Sequence, residues 1–256
     1  MLFRPVSGPE LEVVYDLIAQ SDVPVSRQTI YRACLLHHKD KSIVSPQSID
    51  DALSFLVAAF LVEDRDGFCL REPRNPTTSF QLAVINRLQA LTNRKITPKY
   101  ELDSLYLLLL QELFIKPDLL YVSDVHTEAN KLRPVAELGG LSQEKIRSWK
   151  RVMAYLGIGR RIREGFQCVY SPTLLQEILA TWDRREGFIQ DFLEEHLVGY
   201  LPHQTQTGDL AHAVGQPLQY LHQQQDILMR PYQDAPNKPY FGEQRLRYLF
   251  YHGGVA

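Results

Sequence analysis

The chain has 256 residues, of which 45% are hydrophobic and 23% are charged, and this composition excludes a disordered or fibrous protein. Its formal net charge is -2 at pH 7, which excludes a basic field over the whole molecule as the basis of nucleic-acid binding. Any such binding must therefore be local. A chain of this length is expected to form more than one folding core.

The cysteines and the apolar runs indicate where the protein is found. Cys34, Cys69 and Cys168 are far apart and odd in number, which argues against a disulfide framework and against a zinc site. We therefore expect a reducing, cytoplasmic location. The first residues have no apolar region typical of an export signal. The longest apolar run, LYLLLLQELF, is shorter than the roughly 20 residues that span a bilayer, so no membrane partner is predicted.

The first 75 residues show three helical patterns followed by a hairpin pattern, which we interpret as a first unit. Apolar residues recur at helical spacing in PELEVVYDLIAQ from residue 9, VSRQTIYRACLLHH from residue 25 and SPQSIDDALSFLVAAFLV from residue 45. The segment FLVEDRDGFCLREP then alternates around a Gly-containing turn, which predicts two strands. Residues 76–98 follow as a linking helix.

The same order recurs over residues 99–183, which we interpret as a second unit. Helical patterns in KYELDSLYLLLLQELF, SDVHTEANKLRPVAEL and GLSQEKIRSWKRVMAYLG precede the hairpin pattern IGRRIREGFQCVYSP. The two units align at an offset of 97 residues between Ile49 and Ile146, and of 99 between Pro73 and Pro172. The sequence therefore predicts an internal repeat of about 100 residues.

Residues 184–256 predict a third helical unit, for which a third copy of the same order is one interpretation. Helical patterns in REGFIQDFLEEHLVGYL, TGDLAHAV and GQPLQYLHQQQ precede DILMRPYQDAPNKPYFGEQRLRYLFY, which predicts a proline-rich hairpin and then a terminal helix. Pro231, Pro236 and Pro239 would have to lie at strand edges or in the turn, because proline cannot donate to a sheet.

Two segments resemble the winged helix-turn-helix superfamily: LSQEKIRSWKRVMAYLGIGRRIREGFQCVY and SPQSIDDALSFLVAAFLVEDRDGFCLRE. The resemblance covers residues 9–73 and 100–172, and residues 185–251 less closely. It implies an α+β fold, mainly α with short β-hairpins, arranged as tandem winged helix-turn-helix units. In the DNA-binding members the third helix enters the major groove and the hairpin, called the wing, touches the neighbouring backbone. Other members bind proteins, so this fold alone does not decide the function.

The two units differ in the charge of the third helix and wing. Residues 140–166 have a local net charge of +5, whereas residues 45–72 have a local net charge of -4. A phosphate backbone would be attracted by the second unit and repelled by the first. The sequence therefore predicts that the second unit binds double-stranded DNA. The first unit is left for another task, such as binding a protein partner or a second copy of the chain.

The predicted DNA contacts are divided between phosphates and bases. We expect phosphate contacts from Lys150, Arg160, Arg161 and Arg163, and base-edge contacts from Arg147, Ser148 and Arg151, with Lys145 in the same cluster. Glutamines of the third unit could add amide contacts to bases; these are Gln204, Gln216, Gln219 and Gln223. Trp149 is expected in the core, on a buried stripe with Ile146, Val152, Met153 and Leu156.

Two plainer interpretations stay open beside DNA binding. The basic cluster is also compatible with a solvated helix face. Alternatively, the chain is an adaptor subunit resembling the tandem winged-helix subunits of SMC-type chromosome complexes, since an acidic unit and the apolar LYLLLLQELF helix would suit partner chains. No motif for a phosphate loop, a nucleophile elbow or a zinc peptidase is present, so we expect no enzymatic activity, cofactor or metal.

Overall fold

The computed structural model describes residues 1–34, 37–38, 41–42, 45–232, 238, 240–241 and 245–253. The chain divides into two compact units. The first comprises Met1–Leu108 and Val125–Leu156, and the second comprises Leu109–Asp124 and Gly157–Ala256. These bounds cut through residues 99–183, so the predicted domain boundaries stay a prediction. None of the described helices is both long and apolar enough to cross a membrane.

The first compact unit begins with helices and a small hairpin. The elements up to residue 70 are α1 (Gly8–Ala19), α2 (Arg27–Cys34), β1 (His37–His38), β2 (Lys41–Ser42), α3 (Pro46–Ala58), β3 (Val62–Asp64) and β4 (Phe68–Leu70). Serine residues cap α1 and α3. The Ser45 side chain accepts a hydrogen bond from the Ser48 amide, and the Glu10 carboxylate accepts one from the Ser7 amide. The order of three helices and a hairpin agrees with the prediction. The helix predicted to run through residue 38 is wrong at its end, because His37–His38 form strand β1 paired with β2; residues 35–36 lie outside the described residues.

Five further α-helices follow in the described residues up to Tyr155. They are α4 (Phe80–Thr92), α5 (Leu105–Leu110), α6 (Val125–Lys131), α7 (Arg133–Glu137) and α8 (Gln143–Tyr155). The single helix predicted over SDVHTEANKLRPVAEL is wrong. Pro134 has no amide hydrogen to continue a helix and is tolerated only in a first turn, so α6 ends and α7 begins there.

The second compact unit contains two three-stranded sheets. Among its described residues the α-helices and strands are β5 (Tyr121–Val122), β6 (Gly159–Ile162), β7 (Gly165–Cys168), α9 (Pro172–Ala180), β8 (Glu186–Phe188), α10 (Ile189–Asp191), α11 (His212–Gln223), β9 (Ile227–Pro231) and β10 (Leu246–Tyr251). Both sheets are antiparallel, with strand orders β5–β7–β6 and β8–β10–β9. The predicted terminal helix is wrong, because residues 246–251 form the central strand β10. Pro231 ends β9, an edge strand, as proline requires, while Pro236 and Pro239 lie outside the described residues.

One pairing pattern recurs three times in the part of the chain that the structure describes. Each time, a short strand or single bridge that follows a helix pairs with the second strand of the later hairpin: Val25 with Phe68, β5 with β7, and β8 with β10. The hairpins themselves are β3–β4, β6–β7 and β9–β10. Helices together with small antiparallel sheets confirm the expected α+β class.

Candidate nucleic-acid interface

The β6–β7 hairpin presents three exposed arginine side chains, Arg160, Arg161 and Arg163. Arg160 lies opposite Gln167 and Arg161 opposite Phe166, so the two arginines start from opposite faces of β6. Nε of Arg160 donates a hydrogen bond of 2.6 Å to Oε1 of Gln167. The hairpin therefore projects positive charge from both sides of an edge strand.

Arg163 lies in the two-residue turn between β6 and β7 with a backbone φ of 51°. This left-handed conformation favours glycine or asparagine, and a long side chain in it costs about 1 kcal/mol. Backbone strain of this kind is concentrated at functional sites in proteins. The turn thus holds a third cation at the tip of the hairpin in a conformation that its side chain does not favour.

The electrostatic surroundings of the β6–β7 and β3–β4 hairpins differ. No ion pair in the described part of the chain involves Arg160, Arg161 or Arg163. On the first hairpin, by contrast, Arg65 lies 3.1 Å from the carboxylate of Glu63. The arginines of the β6–β7 hairpin are therefore available to an external anion, whereas Arg65 of the β3–β4 hairpin is paired with a carboxylate of the same hairpin.

Helix α8 has a buried core face and a polar face that is only partly exposed. Ser142 caps it by accepting a hydrogen bond from the Lys145 amide. The stripe predicted for the core is buried; its members are Ile146, Trp149, Val152, Met153 and Leu156. Nε1 of Trp149 donates to the Tyr106 carbonyl at 2.8 Å, which confirms Trp149 as a core residue. On the polar face Arg147 is exposed and Lys145 is half-exposed.

Two predicted contact residues on α8 lie buried. Ser148 is fully buried, and its hydroxyl donates to the Arg4 carbonyl and accepts a hydrogen bond of 3.4 Å from the Val6 amide. Only 6% of Lys150 is exposed. Because base edges and phosphates must be reached through solvent, this arrangement offers neither side chain to DNA. The sequence pattern placed both residues on the polar face because it contains no sign of what packs there.

Residues 1–7, which have no recognisable helix or strand pattern in the sequence, cover Ser148. Leu2, Phe3 and Val6 are buried, the Leu2 amide donates to Oδ1 of Asp103 at 2.7 Å, and the Phe3 ring centroid lies 4.9 Å from that of Tyr106. The apolar residues just before the helix cap at Ser7 were the available signal, since such residues often fix the path of the chain into a helix.

Arg151 has a divided environment. Its Nε atom is buried and has no hydrogen-bond partner in the described part of the chain, although the residue as a whole is half-exposed. Burial raises the pKa of Tyr106, and the positive charge of Arg151 opposes that rise. Arg151 therefore lies closer to the core than its helical position suggests.

The structure groups the predicted residues into two sets. Arg160, Arg161 and Arg163 belong to the second compact unit, and the residues of α8 belong to the first. Of the four glutamines, Gln204, Gln216 and Gln223 are exposed and Gln219 is half-exposed. Two sets of candidate contacts are thus defined, each within its own unit, and DNA contact by any of them stays a prediction.

The apolar helix that suggested an adaptor is not an exposed surface. Most of its apolar side chains are buried, and Leu108 is half-buried; the buried ones are Leu105, Tyr106, Leu107, Leu109, Leu110, Leu113 and Phe114. Their burial shows that the apolar pattern serves packing in the core, so it no longer supports a partner-binding face. The acidic first hairpin is then the remaining feature in favour of that interpretation.

No cluster of three or more His, Cys, Asp and Glu side chains that could hold a metal ion occurs in the described part of the chain. The three cysteines are free thiols, and burial raises the pKa of each, most strongly for Cys168. Comparison of the chain with protein-family models, curated proteins and solved structures found no match. The geometry of the molecule is therefore the basis for any proposal about its function.

Proposed function

We propose that the chain is a non-catalytic protein that binds double-stranded DNA and is built from tandem winged helices. The observation that carries this proposal is the β6–β7 hairpin, whose three exposed arginines take part in no ion pair within the described chain. Guanidinium groups form strong hydrogen bonds with phosphate oxygens, and each contact with duplex DNA releases counterions. A near-neutral chain that concentrates free cations on one hairpin suits local contact with a phosphate backbone.

The recurrent pairing pattern supports the winged-helix assignment. The fold is expected to contain, in order, a helix, a short strand, one or more helices and a hairpin. The second strand of that hairpin pairs with the short strand. It is found around β4, β7 and β10. The assignment places α8 as the third helix of the second winged helix, followed after Leu156, Gly157 and Ile158 by the wing.

The proposal gives different tasks to the exposed residues. Arg160, Arg161 and Arg163 bind phosphates and position the protein, while Arg147, the exposed cation of α8, contacts base edges. Lys145 and Arg151 are half-exposed and supply further positive charge. Ser148 and Lys150 are left out of the proposed contacts because they are buried.

The first winged helix is assigned another task because its third helix is acidic and its carboxylates are engaged. Asp50 accepts a hydrogen bond of 2.7 Å from the Tyr31 hydroxyl and lies 3.4 Å from Arg27. Asp51 is buried and lies 3.6 Å from Arg4. We assign this unit to structural support or to a protein partner, and DNA contact is assigned to the second.

The test is the salt dependence of binding to a random-sequence duplex, measured by fluorescence anisotropy for the wild type and for the triple variant R160A/R161A/R163A. Each phosphate contact contributes about 0.9 to the slope of log affinity against log salt, so the variant should lose roughly 2 to 3 units of slope. The matched control is R32A/R94A/R133A, which removes the same charge from exposed positions outside the hairpin. An equal loss in both variants, or no duplex binding by the wild type at low salt, would contradict the proposal and favour the adaptor interpretation.

A further inference from the structure

The outer face of the β8–β10–β9 sheet is aromatic. On the inner face Ile227, Met229 and Leu249 are buried. On the outer face Tyr248, in the central strand, lies opposite Phe188 of β8 and Arg230 of β9, and none of these three is buried. Residues that pair directly across antiparallel strands share a face, so Phe188, Tyr248 and Arg230 form one row across the sheet.

The aromatic rings of this face lie in mutual contact. The Tyr248 ring centroid is 5.6 Å from that of Phe188 and 4.8 Å from that of Phe250, and Tyr232 stacks on Tyr248 at 5.9 Å with an interplanar angle of 24°. Tyr232 is 53% exposed. Four rings thus form a continuous surface, which we call the aromatic face: Phe188, Tyr232, Tyr248 and Phe250. Contact among the rings fixes their orientation before any ligand binds.

Arginines lie beside the aromatic face. The guanidinium carbon of Arg230 is 5.5 Å from the Phe250 ring centroid, and Nη1 of Arg247 donates to the Tyr232 carbonyl at 3.2 Å. Arg245, next to β10, is exposed. The strands of the sheet themselves carry two arginines, Arg230 and Arg247, against one carboxylate, that of Glu186. The rim of the face is therefore positive, and an anionic ligand would be favoured over a neutral or basic one.

We propose that the aromatic face binds single-stranded nucleic acid, with unpaired bases stacked on Tyr248 and its neighbours and phosphates beside Arg230. Aromatic side chains combined with a positive rim are the general means by which proteins hold unpaired bases, because every base has a π-face. Bases inside a duplex are already stacked on one another and cannot offer that face. This surface shares no residue with the β6–β7 hairpin or with α8, so the inference goes beyond the proposed duplex binding and does not rest on it.

The test compares a fluorescein-labelled oligothymidylate of about twelve nucleotides with an abasic oligomer of equal length, which keeps the phosphates and lacks the bases. The full chain should bind the oligothymidylate more tightly than the abasic oligomer. Tyr248→Leu and Phe250→Leu should each weaken oligothymidylate binding by about 5-fold to 150-fold and leave abasic binding unchanged. Tyr220→Leu, which alters a 49% exposed tyrosine on α11, should leave both unchanged.

Several outcomes would overturn the inference. Equal affinity for the two oligomers, or unchanged oligothymidylate binding by folded Tyr248→Leu protein, would show that bases do not stack on this face. If Tyr248→Leu fails to fold by circular dichroism, Tyr232→Leu replaces it, because Tyr232 is mostly exposed. Binding of a labelled proline-rich peptide that is lost in these variants, with no binding of oligothymidylate, would instead assign the face to a protein ligand.

One further variant separates this inference from the proposed function. R160A/R161A/R163A should lose duplex affinity and keep its preference for oligothymidylate over the abasic oligomer. Loss of that preference in the triple variant would place the unpaired bases at the hairpin and overturn the aromatic face. If the wild type fails to bind duplex DNA but still prefers oligothymidylate over the abasic oligomer, only the proposed function is overturned.

Discussion

The hydroxyl group of Ser148 donates a hydrogen bond to the carbonyl oxygen of Arg4, 144 positions earlier in the chain. The same oxygen atom of Ser148 accepts from the Val6 amide. A side chain that the sequence assigned to base contact on α8 therefore joins residues 1–7 to the helix. Because the hydroxyl oxygen of Ser148 is hydrogen-bonded inside the protein, replacing Ser148 should change stability and should not change DNA affinity.

For Ser148→Ala we expect a loss of about 1 to 3 kcal/mol in the free energy of unfolding, because the Val6 amide and the Arg4 carbonyl lose a buried partner. Duplex affinity of the folded fraction should stay unchanged. Urea denaturation and anisotropy at one salt concentration measure the two quantities. Weaker DNA binding with unchanged stability would return Ser148 to the contact surface.

Arg147 and Lys150 are both cations of α8, but only the replacement of Arg147 should change DNA binding. Arg147→Ala should lose about 1 to 3 kcal/mol of preference for a favoured duplex sequence, because an exposed arginine can bond a guanine edge. Lys150→Met should leave affinity and salt slope unchanged, because only 6% of Lys150 is exposed. Competition with duplexes of different sequence is the measurement. A reduced salt slope for Lys150→Met would show that its ammonium group reaches solvent in the complex.

Arg163→Gly should raise the free energy of unfolding by up to about 1 kcal/mol, because glycine adopts a φ of 51° without strain. The same change should lower the salt slope of duplex binding by about 0.9. Arg161→Gly is the matched control: it removes the same charge from β6, where glycine weakens a strand, so its stability should fall. Equal stability changes in both variants would mean that the turn stores no strain.

The buried side chain of His203 indicates that the stability of the fold depends on pH. Burial lowers its pKa, against the opposing effects of the Leu201 backbone and of Glu194. The unfolded chain therefore binds a proton more readily than the folded one. The stability linked to this residue is complete above the unfolded pKa of about 6.5 and is lost as pH falls through the lower folded value.

His203→Leu should reduce the difference in unfolding free energy between pH 7.5 and pH 5. Exposed His252 supplies the control, since His252→Leu should keep the wild-type difference. Urea titrations at the two pH values make the comparison. An identical difference in wild type and His203→Leu would assign the acid sensitivity to other groups.

Local periodicity predicted the parts of the fold that depend on near neighbours. The buried stripe of α8 and the hairpin from Gly159 to Cys168 follow from spacing and turn residues alone. Residues 1–7 could not be placed from their own pattern, because their position depends on Asp103 and Ser148, which are more than 100 residues away.

The strand β10 could not be predicted from the sequence for a different reason. Leu246 and Leu249 are three residues apart, which is the spacing of one helical face. In the structure both are buried on a strand, because the register shifts between Leu246 and Tyr248 and adds one residue to the usual period of two. A bulge of this kind is set by pairing with β9 and cannot be recognised from the spacing of β10 alone. Because this spacing predicts a helix over residues 246–251, the aromatic face could not be predicted either.

The position of β6 at the edge of its sheet has a consequence for solubility. An edge strand leaves a row of backbone amides and carbonyls unpaired, and such a row can pair with the same strand of another molecule. Charged side chains on the edge oppose that pairing by mutual repulsion, and Arg160 and Arg161 lie on this one. Their replacement should therefore promote self-association at high protein concentration, whatever becomes of DNA binding. Selection for a monodisperse protein would keep cations at these positions even without a nucleic acid.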